Sequence, residues 1–162
     1  MIRVLLVCTG NVCRSPMAEG VLRKMLRDNG QHGEVVVESA GTFAAEGAPA
    51  SSDAVEVTAA SGVDLRGHVA RALTARLVGR ADLILTMEPE HGNRLLSLFP
   101  DAAEKTHLIT TFCDPSGDPL GIPDPIGCGR EVYERTLRSI EANLRAALPK
   151  IGAMVGRGEI NG

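Results

Sequence analysis

The apolar run Ile2–Val7 breaks off at Cys8-Thr-Gly-Asn-Val-Cys-Arg-Ser-Pro16, and this junction constrains the fold more than any other stretch of the chain. Val4, Leu5, Leu6 and Val7 read as a short strand buried on both faces, as parallel strands usually are. Ser15-Pro16 predicts a helix start, with the serine capping and proline at the first helical position, where the amide it lacks would be orphaned anyway. The loop between them therefore ends at a helix N-terminus. There, unpaired N–H groups and the positive end of the helix dipole favour anions. The amides of Thr9, Gly10, Asn11, Val12 and Cys13 can cradle a phosphate, and Cys8 is expected to be ionised near neutral pH. Arg14, six residues after Cys8, can fold back and offer two parallel donors to the equatorial oxygens of a phosphoryl group. Gly10 permits a tight turn and Asn11 tolerates a left-handed backbone. The plainer alternative makes Cys8 a small buried hydrophobe and Arg14 a surface charge. A bare Cys-x5-Arg would not decide between them, but strand, thiol, Gly-Asn and Arg-Ser-Pro in succession meet several independent demands of an oxyanion site.

Strands and helices alternate along the rest of the chain. Helix is predicted over Met17–Asp28, strand over Val35–Ser39, and a helix capped by Ser51-Ser-Asp53 that runs to about Gly62. A short helix over Thr74–Gly79, a strand over Asp82–Met87, a helix over Glu88–Leu98 and a strand over Thr106–Ile109 follow. A long loop rich in Pro and Gly, from Pro115 to Pro125, precedes an amphipathic helix over Gly129–Leu148. Such alternation implies an α/β fold, a single-domain three-layer sandwich with a central four-stranded parallel sheet and helices on both faces. The domain is read as residues 1–148, with 149–162 a short C-terminal tail. In such sheets ligands sit at the carboxyl ends of strands, where Cys8 lies.

Composition narrows the partners. With 162 residues and 44% hydrophobic content the chain is long enough for one real core. No segment approaches the ~20 apolar residues of a membrane span, and Ile2–Val7 lacks a cleavage site, so a cytoplasmic protein without membrane contact is expected. Four cysteines, two in one loop, fit a reducing compartment better than a disulfide framework. A net charge of −3 with no basic run argues against nucleic acid. His32, His91 and His107 have no partners at metal-ligand spacing, so no metal is expected.

Cys8-Thr-Gly-Asn-Val-Cys-Arg-Ser-Pro-Met-Ala-Glu19 resembles the phosphate loop of the low-molecular-weight protein tyrosine phosphatases. Glu38-Ser-Ala-Gly-Thr42, Gly67-His-Val-Ala-Arg71, Ala81-Asp-Leu-Ile-Leu-Thr-Met87 and Asp124-Pro125 extend the likeness over about residues 1 to 148. The resemblance implies a cofactor-free phosphomonoester hydrolase acting as a monomer on phosphorylated proteins, with Cys8 as nucleophile through a phosphocysteine and Arg14 as phosphoryl clamp. A departing alcohol or phenol needs a proton, and spacing alone leaves Asp114, Asp118 and Asp124 in the Pro-rich loop as candidates. The resemblance selects Asp124 as general acid. It also implies that Asn11, Ser39 and His68 hold the loop rigid, while Ser15 can donate to the Cys8 sulfur.

Other assignments stay open. Cys13 reads equally as a resolving thiol for an oxidised Cys8 or as a small side chain buried under the loop. Tyr133 reads as packed rather than as a phosphosite, and Cys113 and Cys128 as chemically idle. A thiol-dependent arsenate reductase on the same scaffold would need two more cysteines after the third strand, and residues 80–100 hold none. A non-catalytic phosphate sensor would be expected to lack the nucleophile or the acid. The substrate is expected to be phosphotyrosine, with Phe43, Val12 and Ile126 as walls, and phosphoarginine is the alternative. The resemblance bears on both: related phosphoarginine phosphatases carry Thr where this chain has Val12, and many relatives carry Tyr where it has Ile126.

Overall fold

The computed structural model describes residues 1–160. The elements are β1 (Ile2–Cys8), α1 (Arg14–Asp28), β2 (Val35–Gly41), α2 (Ser52–Ala60), α3 (Ala75–Arg80), β3 (Leu83–Thr86), α4 (Pro89–Leu98), β4 (Thr106–Leu108) and α5 (Arg130–Ile160). A 3-10 turn over Pro100–Lys105 leads into β4. The four strands form one parallel sheet in the order β2-β1-β3-β4.

The unbroken apolar run of β1 follows from its central place. Val4, Leu6 and Cys8 face a core layer built with Met17, Leu22 and Leu26 of α1, Val57 of α2, and Tyr133, Ile140 and Leu144 of α5. Leu5 and Val7 face the opposite layer, with Leu77 and Val78 of α3 and Leu95 of α4. Both faces are covered, so no position of the strand is free to be polar. The chain leaves β1 for β2 on one side and returns to β3 on the other, so the strand order reverses at the carboxyl end of β1, beside Cys8.

Two element boundaries differ from expectation. Helix α1 begins at Arg14 rather than behind a Ser15 cap: its N-cap is Cys13, no side chain caps it, and the first turn closes from the Met17 amide to the Cys13 carbonyl at 3.1 Å. Pro16 is still one of the first three residues of the helix, whose amides have no helical acceptor. Ser15 is thereby released for another partner. Helix α5 does not stop at Leu148 but continues through Pro149 to Ile160. An interior proline costs about 3 kcal/mol. The two turns from Pro149 bury Ile151 completely, worth about 2 kcal/mol, and pack Met154 and Val155 partly against the core for a further fraction each. Tertiary burial therefore outweighs the local penalty. Residues 161 and 162 of the expected tail lie outside the described residues. Among the described residues no helix is long and apolar enough to cross a membrane.

Candidate active site

The junction between β1 and α1 forms a cradle whose floor is the Cys8 thiol. Cys8 ends the strand in register with Gly41 of β2, and its carbonyl accepts the Thr42 amide at 3.0 Å. The Thr9 carbonyl accepts the Phe43 amide at 2.9 Å, and the Val12 carbonyl accepts the Ser51 amide at 2.9 Å, tying the loop to the N-terminus of α2. A side chain at Gly41 would place its Cβ 2.4 Å from the Thr9 carbonyl oxygen, so glycine is required where β2 passes the loop. The amides of Gly10, Asn11, Val12 and Cys13 find no acceptor among the described residues, although Asn11 and Cys13 are buried. Buried N–H groups without partners are rare, and a ring of them beside a helix N-terminus is an anion-binding surface.

Asn11 sits at φ +56°, in the left-handed region, and apart from glycines is alone in this among the described residues. Its side chain shows what holds it there. Nδ2 donates to Ser15 Oγ at 2.8 Å and to Ser39 Oγ at 2.9 Å, while Oδ1 accepts the Arg71 amide at 2.9 Å. The Asn11 carbonyl accepts from His68 Nε2 at 2.7 Å, and Ser39 in turn donates to Glu19 Oε2 at 2.7 Å. Asn11, Ser39 and His68 thus meet in one network, with Glu19 and Arg71 as further members. Because Ser15 Oγ receives the Asn11 amide, its own proton is free for the Cys8 sulfur 2.9 Å away.

Arg14 is 2% exposed and is held most closely through Nη1. Its Nη1 donates to the Glu88 carboxylate and to the Ile122 carbonyl at 2.8 Å; Nη2 lies 3.5 Å from Thr9 Oγ1 and 3.7 Å from Asp124 Oδ2. Its Nε has no partner among the described residues. A guanidinium with Nη1 anchored and Nε unpartnered retains the fork suited to two oxygens of one anion.

The Pro-rich loop reaches the cradle because the Ile122 amide donates to the Met87 carbonyl at 2.7 Å, just past β3. Gly121, at φ +78°, makes that approach possible; a Cβ there would lie 2.0 Å from the Met87 oxygen. Of the three carboxylates in this loop, Asp114 accepts the Ser116 amide and Asp118 the Leu120 amide, each at 2.9 Å, as turn residues do. Asp124 also accepts an amide, that of Ile126 at 3.1 Å, but its other oxygen faces Arg14, and its side chain is 44% exposed.

Beneath the loop, Cys13 Sγ lies 3.4 Å from Ser51 Oγ and 3.2 Å from the hydroxyl of Tyr133, which is itself packed in the core and bonded to Ser51 at 3.1 Å. Burial pushes the Cys13 thiol up from its ordinary value, and burial likewise raises Tyr133. Phe43 is held beside Thr9 by its backbone, yet its ring is 68% exposed and lies under the Arg94 guanidinium, 4.9 Å from Cζ to centroid. Ile126 is exposed and Val12 is partly buried against the core.

Glu88 and His91, at the start of α4, escaped the sequence reading. Their only signal was their place just after the strand that neighbours β1. Contrary to expectation, His91 does have carboxylates nearby: ligand atoms of Glu88, Glu90 and His91 lie within 4.8 Å of one another. Two of the three are committed elsewhere, since Glu88 pairs with Arg14 and both ring nitrogens of His91 are hydrogen-bonded within the protein.

The model of the family "Low molecular weight phosphotyrosine protein phosphatase" matches residues 3–156. The chain belongs to that family. The low-molecular-weight protein-tyrosine-phosphatase Etp of Escherichia coli K12 is 38% identical over 138 residues, covering 85% of this chain and 86% of Etp. Among solved structures, the low-molecular-weight protein tyrosine phosphatase of T. tengcongensis aligns with a TM-score of 0.86 at 40% identity, covering 93% of this chain and 99% of that one. The YwlE arginine phosphatase of Geobacillus stearothermophilus aligns with a TM-score of 0.84 at 34% identity, covering 95% of both.

Proposed function

We propose that this protein hydrolyses phosphotyrosine in proteins through a phosphocysteine intermediate. The observation that carries the reading is the meeting, at one strand end, of the Cys8 thiol, four amides without acceptors among the described residues and a buried guanidinium whose Nε has no partner among them. Cys8 attacks phosphorus in line with the scissile bond. The amides and Arg14 take up the charge of the equatorial oxygens. Asp124 protonates the departing phenolate and, as the carboxylate, then activates the water that attacks the phosphocysteine. Ser15 donates to the sulfur as it leaves.

Phosphotyrosine is favoured by Val12, which has the shape of threonine without its hydroxyl. It packs against a phenol ring but offers no polar contact to a guanidino group. Phe43 supplies aromatic surface at the edge of the loop. Phosphoarginine is the second reading, supported by the likeness to the Geobacillus arginine phosphatase and by Ile126 after Asp124-Pro125. Rates measured side by side on phosphotyrosine and phosphoarginine peptides separate the two. Val12→Thr is expected to raise phosphoarginine turnover relative to phosphotyrosine by about 3- to 10-fold, and Val12→Ile to shift the ratio the other way. A wild-type preference for phosphoarginine of about tenfold, ~1.4 kcal/mol in transition-state binding, would reverse the assignment.

All four cysteines are free thiols, which supports work in the reducing cytoplasm, and we take the monomer as the working unit. Mild peroxide is expected to inactivate the enzyme reversibly through a Cys8–Cys13 disulfide, with inorganic phosphate protecting. Peptide mapping checks this. Overoxidised Cys8 beside a free Cys13 thiol would leave Cys13 the purely structural role that its contacts with Ser51 and Tyr133 also suit.

A further inference from the structure

The hydrogen bonds around His91 fix its tautomer and, through it, the direction of a proton on the rim of the cradle. His91 is buried at the start of α4, and its Nδ1 accepts the Glu88 backbone N–H at 2.9 Å. An amide can only donate, so Nδ1 carries no hydrogen. The proton of the neutral ring is therefore on Nε2. Burial, reinforced by the nearby Arg14 charge, lowers the His91 pKa to about 4, so the ring stays neutral in ordinary buffers.

Nε2 lies 2.8 Å from Thr9 Oγ1 and must donate to it. The Thr9 oxygen also stands 3.5 Å from Arg14 Nη2, a second donor. A hydroxyl has one proton to give and two lone pairs to fill. Both neighbours of this oxygen are donors, so its proton is turned away from them. It has no acceptor among the described residues. Thr9 is half-buried, next to Cys8 in sequence and beside the guanidinium that faces the cradle.

We propose that the Thr9 hydroxyl donates a hydrogen bond to the bound phosphoryl group and that His91 is the positioning residue that aims it. This deepens the phosphatase reading and rests on it. The start of α4 thereby acts at the cradle twice, through its N-cap Glu88 on Arg14 and through His91 on Thr9.

Inorganic phosphate binding, measured by calorimetry, tests the device without depending on turnover. Thr9→Val keeps the shape of the side chain and removes the donor, and affinity should fall about tenfold. Thr9→Ser, which restores the hydroxyl, should recover most of that loss. His91→Asn separates aiming from helix capping: its Oδ1 can still accept the Glu88 amide, but its short side chain cannot reach Thr9. The expected result is the same tenfold loss in a variant that still folds, shown by a native circular dichroism spectrum, and a Thr9→Val/His91→Asn double variant no weaker than either single one. Wild-type affinity in Thr9→Val or in His91→Asn, or single losses that multiply in the double variant, would overturn the proposal. A wild-type protein that binds phosphate through Thr9 and His91 yet hydrolyses no phosphomonoester would instead remove the phosphatase reading and leave the device standing.

Discussion

Cys8→Ser is expected to fold, to bind inorganic phosphate and to lose turnover by a factor of about 10⁴ or more. The substitution exchanges sulfur for a smaller oxygen at a buried strand end that shares one core layer with Leu6 and Met17, so packing changes little. The amides and Arg14 that grip the anion are untouched. What disappears is the nucleophile, because an alcohol is almost wholly un-ionised at neutral pH and attacks phosphorus far more poorly than a thiolate. Ser15, whose oxygen receives the Asn11 amide, is itself an un-ionised alcohol with a proton to offer toward this position, and so is no base for the new hydroxyl. Steady-state rates on 4-nitrophenyl phosphate, with melting temperature and phosphate affinity measured on the same sample, check the prediction. Residual turnover above a few per cent of wild type would exclude a covalent route through Cys8. A stoichiometric phosphoenzyme trapped from wild type by acid quench should map to Cys8.

The parts of this site that the sequence showed are local ones. A buried strand, a thiol, a Gly-Asn turn and the start of a helix lie within sixteen residues, and periodicity with turn chemistry suffices to place them. The same holds for Ser51, whose hydroxyl accepts the Ala54 amide as an N-cap. Glu88, His91, Glu19 and Arg71 were hidden because their roles depend on which strands are neighbours. Glu88 meets Arg14 across 74 positions only because β3 pairs with β1, and the Arg71 amide reaches Asn11 across 60 only because its loop closes over the end of β2. The two misjudged helix boundaries have the same origin. At Ser15 the local cap competed with the thiol of another element, and at Pro149 local breakage competed with burial of Ile151. In both cases the contact with the rest of the fold prevailed over the local preference.

Asp124→Asn is expected to slow hydrolysis of phosphotyrosine and phenyl phosphate by a factor of about 10² to 10⁴, and that of 4-nitrophenyl phosphate far less. Asparagine preserves the volume and can still accept the Ile126 amide, so the loop should keep its course. It cannot deliver a proton. A phenolate with a pKa near 10 departs poorly without one, whereas 4-nitrophenolate, with a pKa near 7, departs nearly as well unprotonated. The dependence of rate on leaving-group pKa should therefore be shallow in wild type and steep in the variant. Asp124 also stands 3.7 Å from Arg14, and neutralising it removes a competitor for that guanidinium, so phosphate should bind no more weakly than in wild type. Loss of turnover with retained affinity is the pattern of a group that acts in the transition state. Asp114→Asn and Asp118→Asn are the controls. Both residues close turns that asparagine closes equally well, so both variants should keep near wild-type rates. Equal penalties for Asp124→Asn across good and poor leaving groups would remove it as the acid. The proton would then have to come from Asp114 or Asp118, which requires the loop between Thr110 and Ile122 to swing its tip toward Arg14 when substrate binds.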